Sequence, residues 1–259
     1  MGRASELRIL ENGEELAREA ADFVVWAGEQ AITNDGTFRL ALSGGSTPKA
    51  LYPLLAGPGF ATRLDWRRVA VFFGDERCVP PDHADSNFRM ANETLIKPLK
   101  IPQDRIFRMH GEDEPDQAAR RYEESIRKEF GTPAPAWPRF DLILLGLGDD
   151  GHTASLFPGT PALSEQKRLV VPNPAPHGAK QRLTFTAPLI NQAQTVVFLV
   201  SGKSKAPALK AVLEDIDADP KRFSAKLVQP ENGRLIWFLD HAAAAELTVE
   251  KQRVVTHEE

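Results

Sequence analysis

A single cysteine, Cys78, stands in 259 residues. No intramolecular disulfide can form, and a chain that relies on none fits a reducing compartment. Basic excess is lacking as well. Thirty-two Lys and Arg against 36 Asp and Glu leave a formal net charge of -4, so nothing drives binding along a phosphate backbone, and nucleic acid is not an expected partner. Long hydrophobic runs are missing too. The most apolar stretches, Thr195 to Val200 and Leu142 to Leu147, fall far short of the roughly 20 residues of a membrane-spanning helix. They read as buried strands, and no membrane partner is expected. The first ten residues, MGRASELRIL, contain no apolar core ahead of a small-residue cleavage site, so they do not read as a secretory signal. These absences together predict a cytoplasmic protein. Neither a fixed-period repeat nor a low-complexity tract is found, which excludes solenoid and array architectures.

What the chain does have is enough apolar material, 42% of residues, to bury a substantial core. A single domain over residues 1–259 is expected, with the Pro-rich stretch GTPAPAWP at 131–138 as an internal connector. Helices and strands alternate. Asn12 followed by Glu15 resembles a capping box, and Leu16, Ala20, Phe23, Val24, Ala27 and Ala31 follow at helical spacing. Phe38 to Leu42 reads as a strand entering the turn SGGSTP, with Pro48 at the first position of a helix that Pro53 shortens or kinks. Arg68 to Phe73 is a second strand, Asn87 to Ile96 a helix opened by Ser86, and Asp116 to Phe130 a charged amphipathic helix. Phe140 to Leu145, Arg168 to Val171, Arg182 to Thr186, Thr195 to Val200 and Leu235 to Leu239 read as strands, with helical patterns around 204–214 and 241–247. Continuous apolar strands separated by helices predict an α/β fold with a mostly parallel sheet covered on both faces.

In such sheets ligands sit at the carboxyl ends of the strands, and four polar motifs fall there: SGGSTP at 43–48, GDER at 74–77, GDDGHT at 148–153 and SGKSK at 201–205. In the first, Gly44 and Gly45 let the backbone come close to a ligand, a helix start offers unpaired N–H groups, and Ser43, Ser46 and Thr47 bring hydroxyls, an arrangement suited to a phosphate. It is neither a dinucleotide fingerprint nor a nucleotide P-loop, and a tight turn without a ligand fits the same six residues equally well. In the second, Asp75 can position a hydroxyl or water and Arg77 can bind an anion or an oxyanion; a solvated turn with a local ion pair is the competing reading. Cys78 beside it reads as a packed residue, not a nucleophile. In the third, His152 follows Asp150 by two residues, near a strand end and before an expected helix start. An imidazole there can take a proton from water while a carboxylate fixes its tautomer, or it can simply close a turn. No second His, Cys or Asp at ligand spacing accompanies it, so no metal is expected. Arg182, Lys203 and Lys205 are candidate anion partners, with position favouring Lys205. His83, His110, His177 and His241 have no comparable setting and read as surface or structural residues.

Five segments, LALSGGSTPKALYPLL, FFGDERCVPPDHADSNFRMANETLI, FDLILLGLGDDGHTASLFPGTPAL, QRLTFTAPLINQAQTVVFLVSGKSKAPAL and GRLIWFLDHAAA, resemble the 6-phosphogluconolactonase family in order and across nearly the whole chain. The family is similar to glucosamine-6-phosphate deaminase. The resemblance implies a Rossmann-like αβα sandwich of the ribose-5-phosphate isomerase, deaminase and CoA transferase type, a phosphorylated hexose lactone as substrate, and no cofactor. It implies that Ser43, Gly44, Gly45, Ser46 and Thr47 hold the phosphate with Arg182 and Lys205, and that Gly151 adjoins the substrate. His152 would be the general base, Asp75 and Asp150 would position substrate or His152, and Arg77 would meet phosphate or carbonyl. A monomer or weak homo-oligomer is expected. The deaminase pattern has DEY where this chain has Asp75-Glu76-Arg77, and a glutamate five residues beyond the histidine where this chain has Phe157. A sugar-phosphate-binding regulator would be expected to carry a damaged His or DER motif or an appended DNA-binding segment, and the chain has neither.

Overall fold

The computed structural model describes residues 5–248; the first four residues of the segment read above as lacking an export signal lie outside them. In chain order the strands are β1 (Glu6–Leu10), β2 (Phe38–Leu42), β3 (Val69–Phe73), β4 (Asp75–Arg77), β5 (Leu142–Leu145), β6 (Val170–Pro174), β7 (Gln181–Phe185), β8 (Thr195–Val200) and β9 (Arg234–Asp240). The helices are α1 (Gly13–Asp35), α2 (Ser46–Leu55), α3 (Asn87–Ala91), which runs through a π-helical stretch at Asn92–Ile96 into α4 (Lys97–Leu99), α5 (Pro115–Phe130), α6 (Ala187–Asn191) and α7 (Ala206–Leu213).

Six strands form an all-parallel sheet in the order β1-β9-β8-β5-β2-β3. Side chains alternate across a strand, and here the alternation sorts the core into two clusters. Leu40, Leu42, Val71, Phe73, Leu142, Leu144, Val197, Leu199, Ile236 and Phe238 face α1, α2 and the α3–α4 region. Ala41, Phe72, Ile143, Leu145, Val196, Phe198, Trp237 and Leu239 face α5, α6, α7 and a second sheet. Apart from the half-buried edge strand β1, the strands are largely buried on both faces, as the apolar runs require, and each fully buried Leu or Phe side chain contributes roughly 1.5–3 kcal/mol. Among the described residues, no helix is long and apolar enough to cross a membrane.

The second sheet, β4-β7-β6, is antiparallel, so the expected strands at 168–171 and 182–186 exist with shifted bounds but lie outside the parallel sheet. Its first strand is the DER motif itself, for which the sequence offers a site motif after a strand or a solvated turn but no strand: after Gly74 the chain leaves β3 and pairs Asp75 with Thr184, Glu76 with Leu183 and Arg77 with Arg182. Other expectations are adjusted by local chemistry. Asn12 Oδ1 caps α1 through the N–H groups of Glu14 and Glu15, but Glu15 reaches back to the N–H of Glu11, not of Asn12. Pro48 is the third residue of α2, not the first, still within the turn whose N–H groups lack intrahelical acceptors. Where a helix is expected over 241–247, residues 241–246 form turns, organised by Asp240, whose carboxylate accepts the N–H of Ala243. No helix follows GDDGHT; turns lead to a short 3₁₀ segment at Pro161–Ser164.

The chain steps from β2 outward to β3 and then returns to place β5 on the other side of β2. The sheet therefore has its topological switch point between the carboxyl ends of β2 and β5, where a crevice opens. SGGSTP leaves one of these strands and GDDGHT the other.

Candidate active site

The two tyrosines of the chain set the edges of the crevice. Tyr52 on α2 donates its hydroxyl to the carbonyl of Ser43 (2.7 Å) and accepts the Ser43 N–H (3.1 Å). Tyr122 on α5 accepts the N–H of Phe73 (2.8 Å). Both rings are buried, so the ends of β2 and β3 are pinned from opposite faces of the sheet. Beyond Ser43, Gly45 adopts φ 106° and caps α2 without a side chain. That leaves the N–H groups at the start of a ten-residue helix to face an anion.

Gly44 is required for a different reason. A Cβ there would lie 2.0 Å from Oδ1 of Asn87; the amide of α3 packs directly on the loop backbone. Gly44→Ala is expected to displace Asn87 and cost about 1–3 kcal/mol of stability, as overpacking does, read as a shift of the denaturation midpoint at unchanged slope. An unshifted midpoint would mean the loop has room that the structure does not show.

After β5, the segment Gly148–His152 closes on itself. The Gly151 N–H donates to the Gly148 carbonyl and the Gly148 N–H to the His152 carbonyl. Nδ1 of His152 lies 2.5 Å from Oδ1 of Asp150, which also accepts the His152 N–H at 3.1 Å. A carboxylate bound there fixes the proton on Nδ1 and leaves Nε2 with its lone pair. Burial works to raise the Asp150 carboxyl, but the hydrogen bonds from His152 outweigh it and hold the group below the ordinary carboxylate range.

Downstream, Ala154 sits at φ 48°, a left-handed turn unusual for a residue with a Cβ. It lets its neighbours reach opposite anchors: Thr153 Oγ1 donates to the Gly146 carbonyl, and Ser155 Oγ donates to Oδ2 of Asp75 at 2.7 Å.

The side chains of β4 and β7 complete the wall. Arg77 and Arg182 are directly opposed cross-strand partners. Like charges so placed destabilise a sheet unless something negative lies between them. Neither has an acidic partner at ion-pair distance among the described residues. Arg77 donates to the Asp85 carbonyl and to Oδ1 of Asn87, and Arg182 donates to the carbonyls of Ala179 and His177. Burial and the nearby Arg77 together push the Arg182 guanidinium below its ordinary value.

Ser43, Gly44, Gly45, Ser46, Thr47, Asp75, Arg77, Asp150, His152, Arg182 and Lys205 all line one cavity of about 340 Å³. Gly151, between Asp150 and His152, is not itself among the lining residues. Its φ of 80° and a Phe223 ring atom 2.4 Å from where a Cβ would lie require a glycine there. Lys205, not Lys203, reaches the cavity, and it is shared with Asp149 at 2.7 Å.

Around this cavity, the sequence and structural comparisons agree. A model of the family described as Glucosamine-6-phosphate isomerases/6-phosphogluconolactonase matches residues 11–237. The chain belongs to this family. Within it, the chain is 44% identical over 245 residues to the 6-phosphogluconolactonase of Synechocystis sp., covering 94% of this chain and 99% of the relative. It is 42% identical over 221 residues to the 6-phosphogluconolactonase of Homo sapiens, covering 82% and 81%. The solved 6-phosphogluconolactonase from Trypanosoma cruzi superposes with a TM-score of 0.84 at 32% identity, over 96% of this chain and 98% of that one. A monomeric glucosamine-6-phosphate deaminase, at 24% identity and TM-score 0.76, shares the fold. Where the deaminase pattern would place a glutamate, Phe157 puts its ring 4.6 Å from the imidazole of His152.

Three wall residues of this family member carried no functional reading from sequence. Asn87 was read only as helix, Ser155 lies two residues past the motif read for chemistry, and His177 was read as surface or structural although it lines the cavity. Cys78 fits its reading as a packed residue, because burial pushes its thiol up to about 11, away from the thiolate a nucleophile needs. Among the described residues, no three His, Cys, Asp or Glu side chains converge to hold a metal ion.

Proposed function

We propose that this chain hydrolyses 6-phospho-D-glucono-1,5-lactone to 6-phospho-D-gluconate, the second step of the oxidative pentose phosphate pathway. The observation that carries the reading is an imidazole, oriented by Asp150, in the same cavity as two opposed guanidiniums that have no acidic partner at ion-pair distance among the described residues. One end of the cavity suits an anion and the other suits water activation. The lactonase names of the relatives supply the substrate.

The phosphate dianion sits against the 43–47 loop and Arg182, with Lys205 turning to it from Asp149. Nε2 of His152 takes a proton from water as the oxygen attacks the ring carbonyl carbon. Arg77 and backbone N–H groups stabilise the oxyanion. Collapse of the tetrahedral intermediate breaks the bond to the ring oxygen, which leaves as a hydroxyl by taking the proton back from His152. The open acid ionises and one proton is released. Asp75, held by Ser155, orients the sugar hydroxyls or the water.

The chain acts as one domain, in the cytoplasm, as a monomer or weak homo-oligomer, with no cofactor and no nucleic-acid or membrane partner. The core cluster that runs from the parallel sheet into the small antiparallel one supports a single unit.

The test is acid release from freshly generated 6-phosphogluconolactone, with EDTA present throughout and spontaneous opening subtracted. Turnover is expected to survive chelation, and glucosamine 6-phosphate is expected to yield no ammonia. Loss of turnover in EDTA with recovery on adding zinc, or ammonia release, would overturn the reading.

A further inference from the structure

Asp75 and Arg77 are two residues apart on β4, so their side chains leave the same face, and both line the cavity. A carboxylate and a guanidinium so placed in a half-dry wall would close into an ion pair and cancel the charge the substrate needs. They do not pair. The Asn87 side chain stands between them: its Oδ1 accepts from Nη1 of Arg77 at 2.7 Å, and its Nδ2 donates to Oδ1 of Asp75 at 3.2 Å and to the Asp75 carbonyl at 2.9 Å. The orientation of this amide is set by its partners, since a carboxylate can only accept and a guanidinium can only donate.

Asn87 is itself held from below. Glu76, 2% exposed, points away from the cavity wall formed by its two neighbours and accepts four hydrogen bonds, from the N–H groups of Arg77 (2.7 Å), Asn87 (2.8 Å) and Phe88 (2.8 Å) and from Oγ of Ser86 (3.0 Å). The buried carboxylate thus ties the first turn of α3 to β4. The contact with Gly44 closes the third side, where the loop leaves no room for even a methyl group.

We propose that Asn87 is a positioning residue that insulates Arg77 from Asp75, keeping the guanidinium charge available to the substrate, with Glu76 fixing the amide in register. The inference rests on the lactonase reading for its substrate but on the geometry alone for its coupling. A neutral amide satisfies both ends with a dipole and leaves the net charge of each group intact. An aspartate of the same shape would not: it would pair with Arg77 and repel Asp75.

The experiment is a double-mutant cycle of Asn87→Ala with Arg77→Ala, joined by Asn87→Asp, with kcat and KM measured on 6-phosphogluconolactone and melting temperature recorded for each protein. Asn87→Ala is expected to lower the same kinetic constant that Arg77→Ala lowers, by about 10-fold, and to add less than about 3-fold in the Arg77→Ala background, as coupled neighbours do. Asn87→Asp is expected to remain folded with a lowered melting temperature, because its carboxylate faces Asp75, and to lose about 10-fold or more of that constant. Full activity in Asn87→Asp, or an undiminished Asn87→Ala effect without Arg77, would overturn the proposal. Should the wild-type chain fail to open the lactone, the functional reading falls first. The same cycle is then read in 6-phosphogluconate affinity by calorimetry, where independent effects at the two positions, or no binding by wild type, would overturn the insulator.

Discussion

His152→Asn lowers enzyme-catalysed lactone opening by about 10²-fold or more, the usual loss when a positioned base is removed, while KM and melting temperature stay near wild type. Asparagine keeps a polar group close to Asp150 but has no nitrogen lone pair to take a proton from water. The fall is therefore expected in kcat, because the imidazole works in the transition state and not in holding the phosphate.

The pH dependence follows from the same pair. The Asp150 carboxyl lies below the ordinary carboxylate range, so its contribution to stability is present above that range and is lost only as pH falls through the lowered value. The site is therefore expected to stay folded, with Asp150 charged, as pH falls through the ordinary carboxylate range. Circular dichroism alongside the rate profile checks this. If His152→Asn keeps near wild-type turnover and an unchanged profile, the histidine only closes its turn, and Asp75 or Asp150 becomes the base to test.

How far the sequence disclosed this site depends on whether a feature was local. β2 and β8 have the bounds expected, Phe38–Leu42 and Thr195–Val200, because dense apolar runs, interrupted in β2 by Arg39, report burial on both faces. The polar motifs after β2, β3, β5 and β8 could be placed at one sheet edge because parallel strands share a carboxyl end. β4 was not legible. Three charged residues do not look like a strand, and what makes them one is pairing with β7, more than 100 positions away in the chain. β1 was hidden in the same way: Glu6, Leu7, Arg8 and Ile9 do alternate, but the run is short, and what makes it a strand is pairing with β9, more than 200 positions away. Asn87 could be read as helix but not as site, since its meaning lies in Gly44, Asp75 and Arg77, which only the fold brings to it. The opposed arginines belong to this class too. Each looked like one candidate cation in sequence, and only the register of β4 on β7 makes them a pair.

That pair gives the other large effect. Arg182→Ala is expected to weaken binding of the phosphorylated lactone by about 1.5–3 kcal/mol, the range for a lost charge-assisted hydrogen bond, seen as a rise in KM with kcat little changed. Arg182 is preferred over Lys205 for this test because Lys205 already has Asp149 at 2.7 Å, so part of its charge is spent inside the protein. Among the described residues, Arg182 donates only to the carbonyls of His177 and Ala179, which carry no charge to cancel its own beside Arg77. Removing it has two opposed consequences. The like-charge strain between the strands is relieved, so the protein should not lose stability in proportion to the bonds broken. The loop carrying His177 loses its tether, which could disturb the cavity without involving phosphate. Unphosphorylated gluconolactone separates the two, since it fills the sugar end of the cavity and has no dianion. Its kinetics should be nearly indifferent to Arg182→Ala. If both substrates suffer equally, Arg182 serves the loop and not the phosphate, and the anion site must be reassigned to the 43–47 loop with Arg77 and Lys205.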